Sequence, residues 1–341
     1  SGIDEMPPGL IPALLLGARR TPPGAGGIEK ALPLFGAASA PRSSAKTFSL
    51  QKRALSDSTL RAFAACPRRF FYKKVLRLPI LETPYLKIGN LVHKLMEEFC
   101  SKYTSKEEII NRERRSGDTN RMIELLLEKE KLEGTFYKSL LSKRLHGSIE
   151  GLARLEAERE EEFEIRETEL EINFVYKNWR FRGKVDRIDS LAGAGAIMVD
   201  YKTRKGLKTD KGIKNRVANR QPPFDKQDWQ VPIYCWWFLD KHKKLPDMFA
   251  YYFFPDKEAA FRTVIRFFDS QAQADEFASL HGIKKAFNPL LRENLEKALD
   301  NAVAVAGQMF AARDSFAKTD RTGACYKCSY GNVCWRNSNG S

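Results

Sequence analysis

The feature that most constrains this chain is a pair of alternating runs joined by a glycine-bearing turn. They read Phe181-Arg-Gly-Lys-Val-Asp-Arg-Ile-Asp189, then Ala192-Gly-Ala-Gly-Ala196, then Ile197-Met-Val-Asp-Tyr-Lys-Thr203. Trp179, Phe181 and Val185 alternate with charged residues, and Ile197, Val199 and Tyr201 alternate with Met198, Asp200 and Lys202, so both flanks are predicted strands. A period of two places Asp200 and Lys202 on one face. If the turn makes an antiparallel hairpin, register counting brings Asp186 to within a residue or so of the pair Val199/Asp200. Two carboxylates and one ammonium then converge, which outlines a metal site. Such a set leaves part of an octahedral Mg²⁺ shell for water and a phosphate oxygen. An ion held there polarises a phosphoryl oxygen and acidifies a bound water, with a lysine beside it to orient the nucleophile or neutralise charge. That chemistry is phosphodiester hydrolysis. The plainer reading of the same residues is the solvated face of an exposed strand, since D-x-K is a common triplet.

Further pieces of the chain turn this into a resemblance. Asp186 in Gly-Lys-Val-Asp-Arg-Ile-Asp, followed by Val-Asp200-Tyr-Lys202-Thr, resembles the PD-(D/E)XK nuclease core. The branch it resembles is typified by RecB, AddA/AddB and the CRISPR-associated protein Cas4. Leu55-Ser-Asp-Ser-Thr-Leu-Arg-Ala-Phe-Ala-Ala-Cys66-Pro-Arg-Arg-Phe-Phe-Tyr72 resembles the branch's entry helix. Gly89-Asn-Leu-Val-His93 resembles its histidine motif, and Gln230-Val-Pro-Ile-Tyr234 its Q-x-x-x-Y motif. Cys66 with Cys325-Tyr-Lys-Cys328 and Cys334 resembles its iron–sulfur staple. The proline of the family name is absent before Asp186.

The resemblance implies an α/β fold, a mixed central β-sheet flanked by helices with a restriction-endonuclease-like core, a helical insertion and Fe–S-stapled ends. It implies a Mg²⁺- or Mn²⁺-dependent deoxyribonuclease, a single-strand or end-processing exonuclease. Asp186, Asp200 and Lys202 would be catalytic. His93, Asp186, Asp200 and the carbonyl of Tyr201 would hold the metal, and Cys66, Cys325, Cys328 and Cys334 a 4Fe-4S cluster. Four thiolates also suit tetrahedral zinc, and spacing does not separate the two. Gln230, Tyr234, Arg204, Lys205, Lys208, Arg68 and Arg69 would bind DNA, as single strands or duplex ends. The partner would be a helicase or a recombination or CRISPR protein. Two rivals stand beside this reading: a non-catalytic nuclease-like DNA-binding module supporting a helicase, and a zinc-stapled RNA-binding protein.

Composition bounds the rest. With 341 residues, 43% of them hydrophobic, the chain can bury a large core, as one domain or two. A net charge of +15 favours polyanions, nucleic acid first and acidic membrane second. Leu10-Ile-Pro-Ala-Leu-Leu-Leu16 is too short to span a bilayer and lacks a basic region before it, so neither a membrane span nor a secretory signal is expected. Six cysteines with C-x-x-C spacing point to metal in a reducing compartment, hence a cytoplasmic, bacterial-type or otherwise intracellular protein. The chain opens on Ser1-Gly2, as expected of a trimmed polypeptide or the end of a longer one.

Residues 1–50, rich in Pro, Gly and Ala, read as a linker, a docking arm or the tail of a preceding domain. The nuclease domain is expected over 51–336, with a tail at 337–341. Ser56 or Ser58 is the expected cap of a helix that leads to Cys66. Arg68, Arg69, Lys73, Lys74 and Arg77, interleaved with Phe70, Phe71 and Tyr72, carry the ingredients of a single-strand groove. Phe70 and Phe71 are better placed in the core. Leu91, Val92, Leu95, Met96 and Phe99 form a helical stripe with His93 beside it. Residues 104–168 read as charged helices ending in a Glu-dense solvated segment. Glu169–Tyr176 is the first core strand, from which Glu169 or Glu171 could approach a metal. Arg204 to Arg220 reads as a mobile basic loop that steers phosphate. Asp228–Asp240 is a helix, Met248–Phe254 and Arg262–Phe268 are strands, and 271–315 are mainly helical. Cys100 and Cys235 belong to the core.

Overall fold

The computed structural model describes residues 54–80, 84–130, 135–192, 195–203, 228–255, 259–282, 289–312, 316–320, 325, 328–331 and 333–334. The arm at 1–50, the basic segment carrying Arg204, Lys205 and Lys208, and the tail at 337–341 lie outside the described residues.

The sheet is built around the expected hairpin. Strand β1 (Phe163–Tyr176) pairs antiparallel with β2 (Trp179–Leu191), and β2 pairs antiparallel with β3 (Ala196–Lys202). Strand β4 (Met248–Phe253) lies parallel to β3, β5 (Phe261–Phe268) antiparallel to β4, and the short β6 (Leu290–Leu291) parallel to β5. Among the described residues this is a six-stranded mixed sheet in sequential order, β1 to β6. A parallel pair requires a long crossover; between β3 and β4 the crossover includes the helix α7 (Gln230–His242).

Helices cover both faces. Preceding the sheet are α1 (Asp57–Ala65), α2 (Pro67–Phe70, continued by a π-turn through Val75), α3 (Pro84–Lys102), α4 (Lys106–Ile110), α5 (Arg112–Lys129) and α6 (Thr135–Ala157). After it come α8 (Gln271–Leu280) and α9 (Arg292–Ala311). On one face Met198, Phe249 and Tyr251 pack with Leu60 and Phe63 of α1, Trp237 of α7 and Leu299 of α9. On the other, Ile197, Val199, Tyr201 and Tyr252 pack with Val92 and Phe99 of α3, Leu126 of α5 and Leu152 of α6. Strand β3 is therefore buried on both faces, as expected next to a parallel neighbour with helices above and below. Of the two candidate caps, Ser56 caps α1, its side chain accepting the Thr59 N–H. Phe70 is core, and Phe71 stacks on Phe316 at 5.0 Å between ring centroids.

Two expectations about the acidic segment are corrected. The helical insertion does not run to residue 168: α6 ends at Ala157, and β1 starts at Phe163 because Phe163 and Ile165 alternate inward. Nor is the Glu-dense run wholly solvated. Glu156 is fully buried, as are Arg187 and Asp189. Arg187 pairs with Glu156 at 2.7 Å, and Arg159 meets Asp189 at 2.7 Å and Glu156 at 3.1 Å. Arg187 also bonds Asp189 through Nη2 at 2.7 Å, and Tyr252 donates to Glu156 at 3.1 Å. The Arg159 guanidinium lies 3.9 Å from the centroid of the Phe163 ring. Two arginines and the acids Glu156 and Asp189, paired with one another, thus pin the end of α6 against β2, one residue beyond Asp186.

Removing one member of such a cluster leaves a charge buried without its partner. Asp189→Ala is expected to lower unfolding stability by about 3–5 kcal/mol. Lys297→Ala, which breaks an exposed pair with Glu293, should stay within about 0.5 kcal/mol. Chemical denaturation of both variants checks the contrast.

Candidate functional site

Three strands present carboxylates at one level. The register Arg187↔Val199 puts Asp186 opposite Asp200, and Glu169, between the pairs Thr168↔Arg187 and Leu170↔Val185, falls opposite Asp186. Glu169, Asp186 and Asp200 thus form a row across β1, β2 and β3. Glu169 has φ of 51°, a left-handed conformation that costs a non-glycine residue of order 1–3 kcal/mol. Such strain in the middle of a strand is characteristic of functional positions.

Helix α3 delivers the histidine. At Gly89 an added Cβ would sit 3.3 Å from Thr203 Oγ1, so glycine allows α3 to approach the end of β3 closely. One turn later His93 Nδ1 lies 3.4 Å from Asp186 Oδ2 and 3.8 Å from Glu169 Oε1. One donor atom from each of His93, Glu169 and Asp186 lies within 4.8 Å of the others. An imidazole and two carboxylates suit Mn²⁺ or Mg²⁺, and at this separation small side-chain adjustments would let them share one ion.

Helix α7 closes the other side. Gln230 Nε2 donates to Asp200 Oδ1 and, at 3.2 Å, to the Tyr234 hydroxyl, while its Oε1 accepts from Lys202 Nζ at 2.9 Å. Tyr234 donates to the Lys184 carbonyl at 2.6 Å. Gly183 makes that reach possible, because a Cβ there would collide with the Tyr234 ring. Lys202 pairs with Asp200, and Lys184 with Glu169.

Asp186 accepts the Tyr201 N–H at 2.7 Å. Asp200 lies opposite Asp186 but spends its oxygens on Gln230 and Lys202, whereas the grouped donor atoms are those of His93, Glu169 and Asp186. Tyr201 is buried, its hydroxyl 3.4 Å from Cys100 Sγ. Asp200 is only 2% exposed, so this face is not the solvated face of an open strand. Of the two acids on β1 that could approach a metal, Glu169 is the one whose oxygen joins His93 and Asp186, while Glu171 stands across from Lys184. Asp228 was missed; its Oδ2 accepts from Tyr251 at 2.8 Å and its Oδ1 from the Gln230 N–H at 3.0 Å, which seats the start of α7.

The electrostatics favour protons where an ion would bind. Burial, and secondarily the Asp186 charge, push Asp200 up to about 7 against the pull of Lys202. At His93 burial acts to lower the pKa, but hydrogen bonds to Asp186 and Glu169 outweigh it and raise it to about 10. Burial likewise acts to lower Lys202, and the Asp200 charge reverses this, so the ammonium stays protonated.

Cys66, Cys325, Cys328 and Cys334 line one small cavity with Arg69, Tyr72 and Lys318. All four thiols are free of disulfides, and Cys66 Sγ accepts the Arg69 N–H at 3.4 Å. Burial raises the Cys334 thiol, and Cys66 and Cys328 add to that effect. Arg68 and Arg69 flank this cavity rather than the carboxylate row, each with a buried Nε lacking an acceptor among the described residues. Cys100 and Cys235 are buried in the core.

The PD-(D/E)XK nuclease superfamily model matches residues 54–335. The chain belongs to the PD-(D/E)XK nuclease superfamily. A solved structure from Eubacterium rectale, of a protein provisionally named an exonuclease, covers 84% of this chain and 92% of its own, at 11% identity and a TM-score of 0.46. That of SSO0001 covers 73% of this chain and 96% of its own, at 17% identity and a TM-score of 0.28. No curated protein matches the sequence significantly. PD-(D/E)XK nucleases use divalent metals, and the row of carboxylates with His93 is where this member can hold one. Among the described residues no helix is long and apolar enough to cross a membrane.

The raised pKa values link metal to pH. Asp200 titrates higher folded than the ordinary aspartate value of 3.8, so its contribution to metal-free stability is present at low pH and lost as pH rises through about 7. The contribution of His93 is complete below its ordinary value of 6.5 and is lost as pH rises through about 10. An ion that needs the deprotonated groups therefore binds more tightly as pH rises. Mn²⁺ should raise Tm more at about pH 8.5 than at about pH 6; equal shifts would place the ion elsewhere.

Proposed function

We propose that this nuclease is a Mg²⁺- or Mn²⁺-dependent deoxyribonuclease that hydrolyses phosphodiester bonds on single strands or at duplex ends, as an exonuclease. The observation that carries this reading is the row Glu169, Asp186 and Asp200 with His93 at one end and Lys202 beside it. His93, Glu169 and Asp186 would hold the ion, and Asp200 and the Tyr201 carbonyl would complete its protein ligands. When bound, the ion polarises the phosphoryl oxygen and makes a hydroxide-like nucleophile available near neutral pH.

The chain's own residues do the rest. Lys202 remains an ammonium, so it does not abstract the water's proton; it orients the attacking oxygen and offsets negative charge growing on the phosphoryl group. Gln230 holds Lys202 and Asp200 from one amide, which fixes their separation. Tyr234 anchors that amide to β2. The net charge of +15 draws a polyanion to the site. A strained Glu169 and a buried Asp200 favour catalysis over the non-catalytic reading, because both cost stability and serve no packing purpose.

Asp200→Ala and Lys202→Ala should each abolish cleavage of a labelled single-stranded oligonucleotide while leaving far-UV circular dichroism and DNA binding largely intact. Chelation should abolish wild-type cleavage and Mn²⁺ restore it. Full residual activity in either purified variant would sink the assignment.

The cysteines take a 4Fe-4S cluster in this reading, supported by four free thiols around one cavity. It ties the end of α1 to the C-terminal segment, and the nuclease acts with a helicase or recombination partner. Anaerobically purified chain should be brown, carry iron and sulfide, and lose both in Cys334→Ser; a colourless protein with one zinc per chain would mean a tetrahedral zinc staple.

A further inference from the structure

Lys202 is held by more than its carboxylate. Its ammonium pairs with Asp200, donates to Gln230 Oε1 at 2.9 Å and lies 5.1 Å from the centroid of the Tyr251 ring. The π face of the ring attracts the cation without taking up a donor. An ammonium has three donors. The carboxylate and the amide engage two, and the side chain, 35% exposed, keeps the third for the cleft that it lines with Gln230 and Tyr234. A lysine stem is long and flexible, so a pair with Asp200 alone would leave the ammonium free to swing about that carboxylate. The amide on one side and the ring on the other restrict it.

Asp228 joins those two neutral groups. Its Oδ1 accepts the Gln230 N–H at 3.0 Å and the Val231 N–H at 3.5 Å, and its Oδ2 accepts the Tyr251 hydroxyl at 2.8 Å. Trp229, at the cap position of α7, offers no side-chain bond to the free N–H groups there, so the Asp228 carboxylate satisfies them. It thereby fixes where α7 begins, and with it where the Gln230 amide lies. The Tyr251 hydroxyl, on a side chain only 3% exposed, is fixed by the same carboxylate. Register places Tyr251 opposite Asp200 on the parallel strand β4. The contacts therefore close on themselves, from Asp228 to Gln230, to Lys202, to the Tyr251 ring and back to Asp228. Asp228 stands outside the His93, Glu169 and Asp186 group, and neither it nor Tyr251 lines the cleft.

We propose that Asp228 is a positioning residue for the nuclease reaction: by fixing Gln230 and Tyr251 together it sets where the Lys202 ammonium stands beside the carboxylate row. The inference rests on the nuclease reading above and deepens it. Asp228 acts through its neighbours and touches neither the ion nor the reacting phosphate. Its effect therefore falls on the chemical step and not on the binding of DNA.

The test compares the full wild-type chain with three variants. Asp228→Ala removes the link. Tyr251→Phe keeps the ring and the start of α7 but frees the ring from Asp228. Asp228→Asn keeps an oxygen for the α7 N–H groups and an amide that can donate to the Tyr251 hydroxyl. With Mn²⁺ and a labelled single-stranded oligonucleotide, Asp228→Ala should lower kcat about 100-fold, as expected for a misplacement of about 1 Å, and leave KM unchanged. Tyr251→Phe should lower kcat about tenfold, as loss of one hydrogen bond to a charged group does. Asp228→Asn should recover most of the wild-type kcat. A second readout needs no cleavage: in EDTA, the rate at which acetic anhydride acetylates each lysine is followed by peptide mass spectrometry. Lys202 should react several-fold faster in Asp228→Ala and at the wild-type rate in Asp228→Asn, with Lys241, exposed on the same helix, unchanged throughout. A raised KM with kcat intact, an Asp228→Asn chain as slow as Asp228→Ala, or Lys202 acetylation that stays constant or rises together with Lys241 would overturn the proposal. A wild-type chain that cuts nothing, while Lys202 acetylation follows the variants as stated, would overturn the catalytic reading and leave the positioning of Lys202 supported.

Discussion

Everything at the candidate site depends on the register of β2 between its two antiparallel neighbours. Because side chains alternate along a strand, a slip of one residue on either side would send Asp186 to the opposite face from its partners. The register is held by more than backbone hydrogen bonds. Arg187 and Asp189, immediately beyond Asp186, are locked to Glu156 and Arg159 in a dry ionic cluster that no slipped arrangement could satisfy. A buried ionic group is weak evidence for stability, but fixing one register is the use for which such groups are best attested. Here the cluster and the site share a strand.

The same strand explains the two glycines that matter. Gly183 leaves room for the Tyr234 ring, through which α7 is fastened to β2, and Gly89 lets α3 approach the end of β3. Helices on opposite faces of the sheet thereby deliver a histidine and an amide to the same row of carboxylates. The buried hydrogen bonds of Gln230 make it a bridge between Asp200 and Lys202. Burial of the site also sets its charge state, since without an ion it favours protonated Asp200 and His93. A cation bound there would therefore compete with protons for one set of atoms.

The charge distribution links this centre to its surroundings. Cations with no carboxylate at ion-pair distance among the described residues gather on the π-turn after α2 and at Arg182, on the side of β2 facing the start of α1. The cysteine cavity stands at the far end of that series, so a staple there would stiffen the segment carrying Lys73 and Lys74.

Much of this was legible in the sequence. Strict alternation specified β2 and β3, the turn between them specified an antiparallel pair, and counting through it put Asp186 beside Asp200, because period-two geometry is local and needs no tertiary information. The helical stripe around Leu95 and the cap at Ser56 were local in the same way. What the sequence did not disclose depends on contacts between distant segments. Glu156 sits in a run that looks solvated and becomes buried only because Arg187 and Arg159 fold against it from elsewhere. Glu169 looks like any outward strand acid until β1 is laid beside β2 and α3 brings His93 over it. Local pattern decided which faces the side chains take; which of them meet was settled by packing α3, α6 and α7 onto the sheet, since opposite charges are bound by proximity in space and not by spacing along the chain.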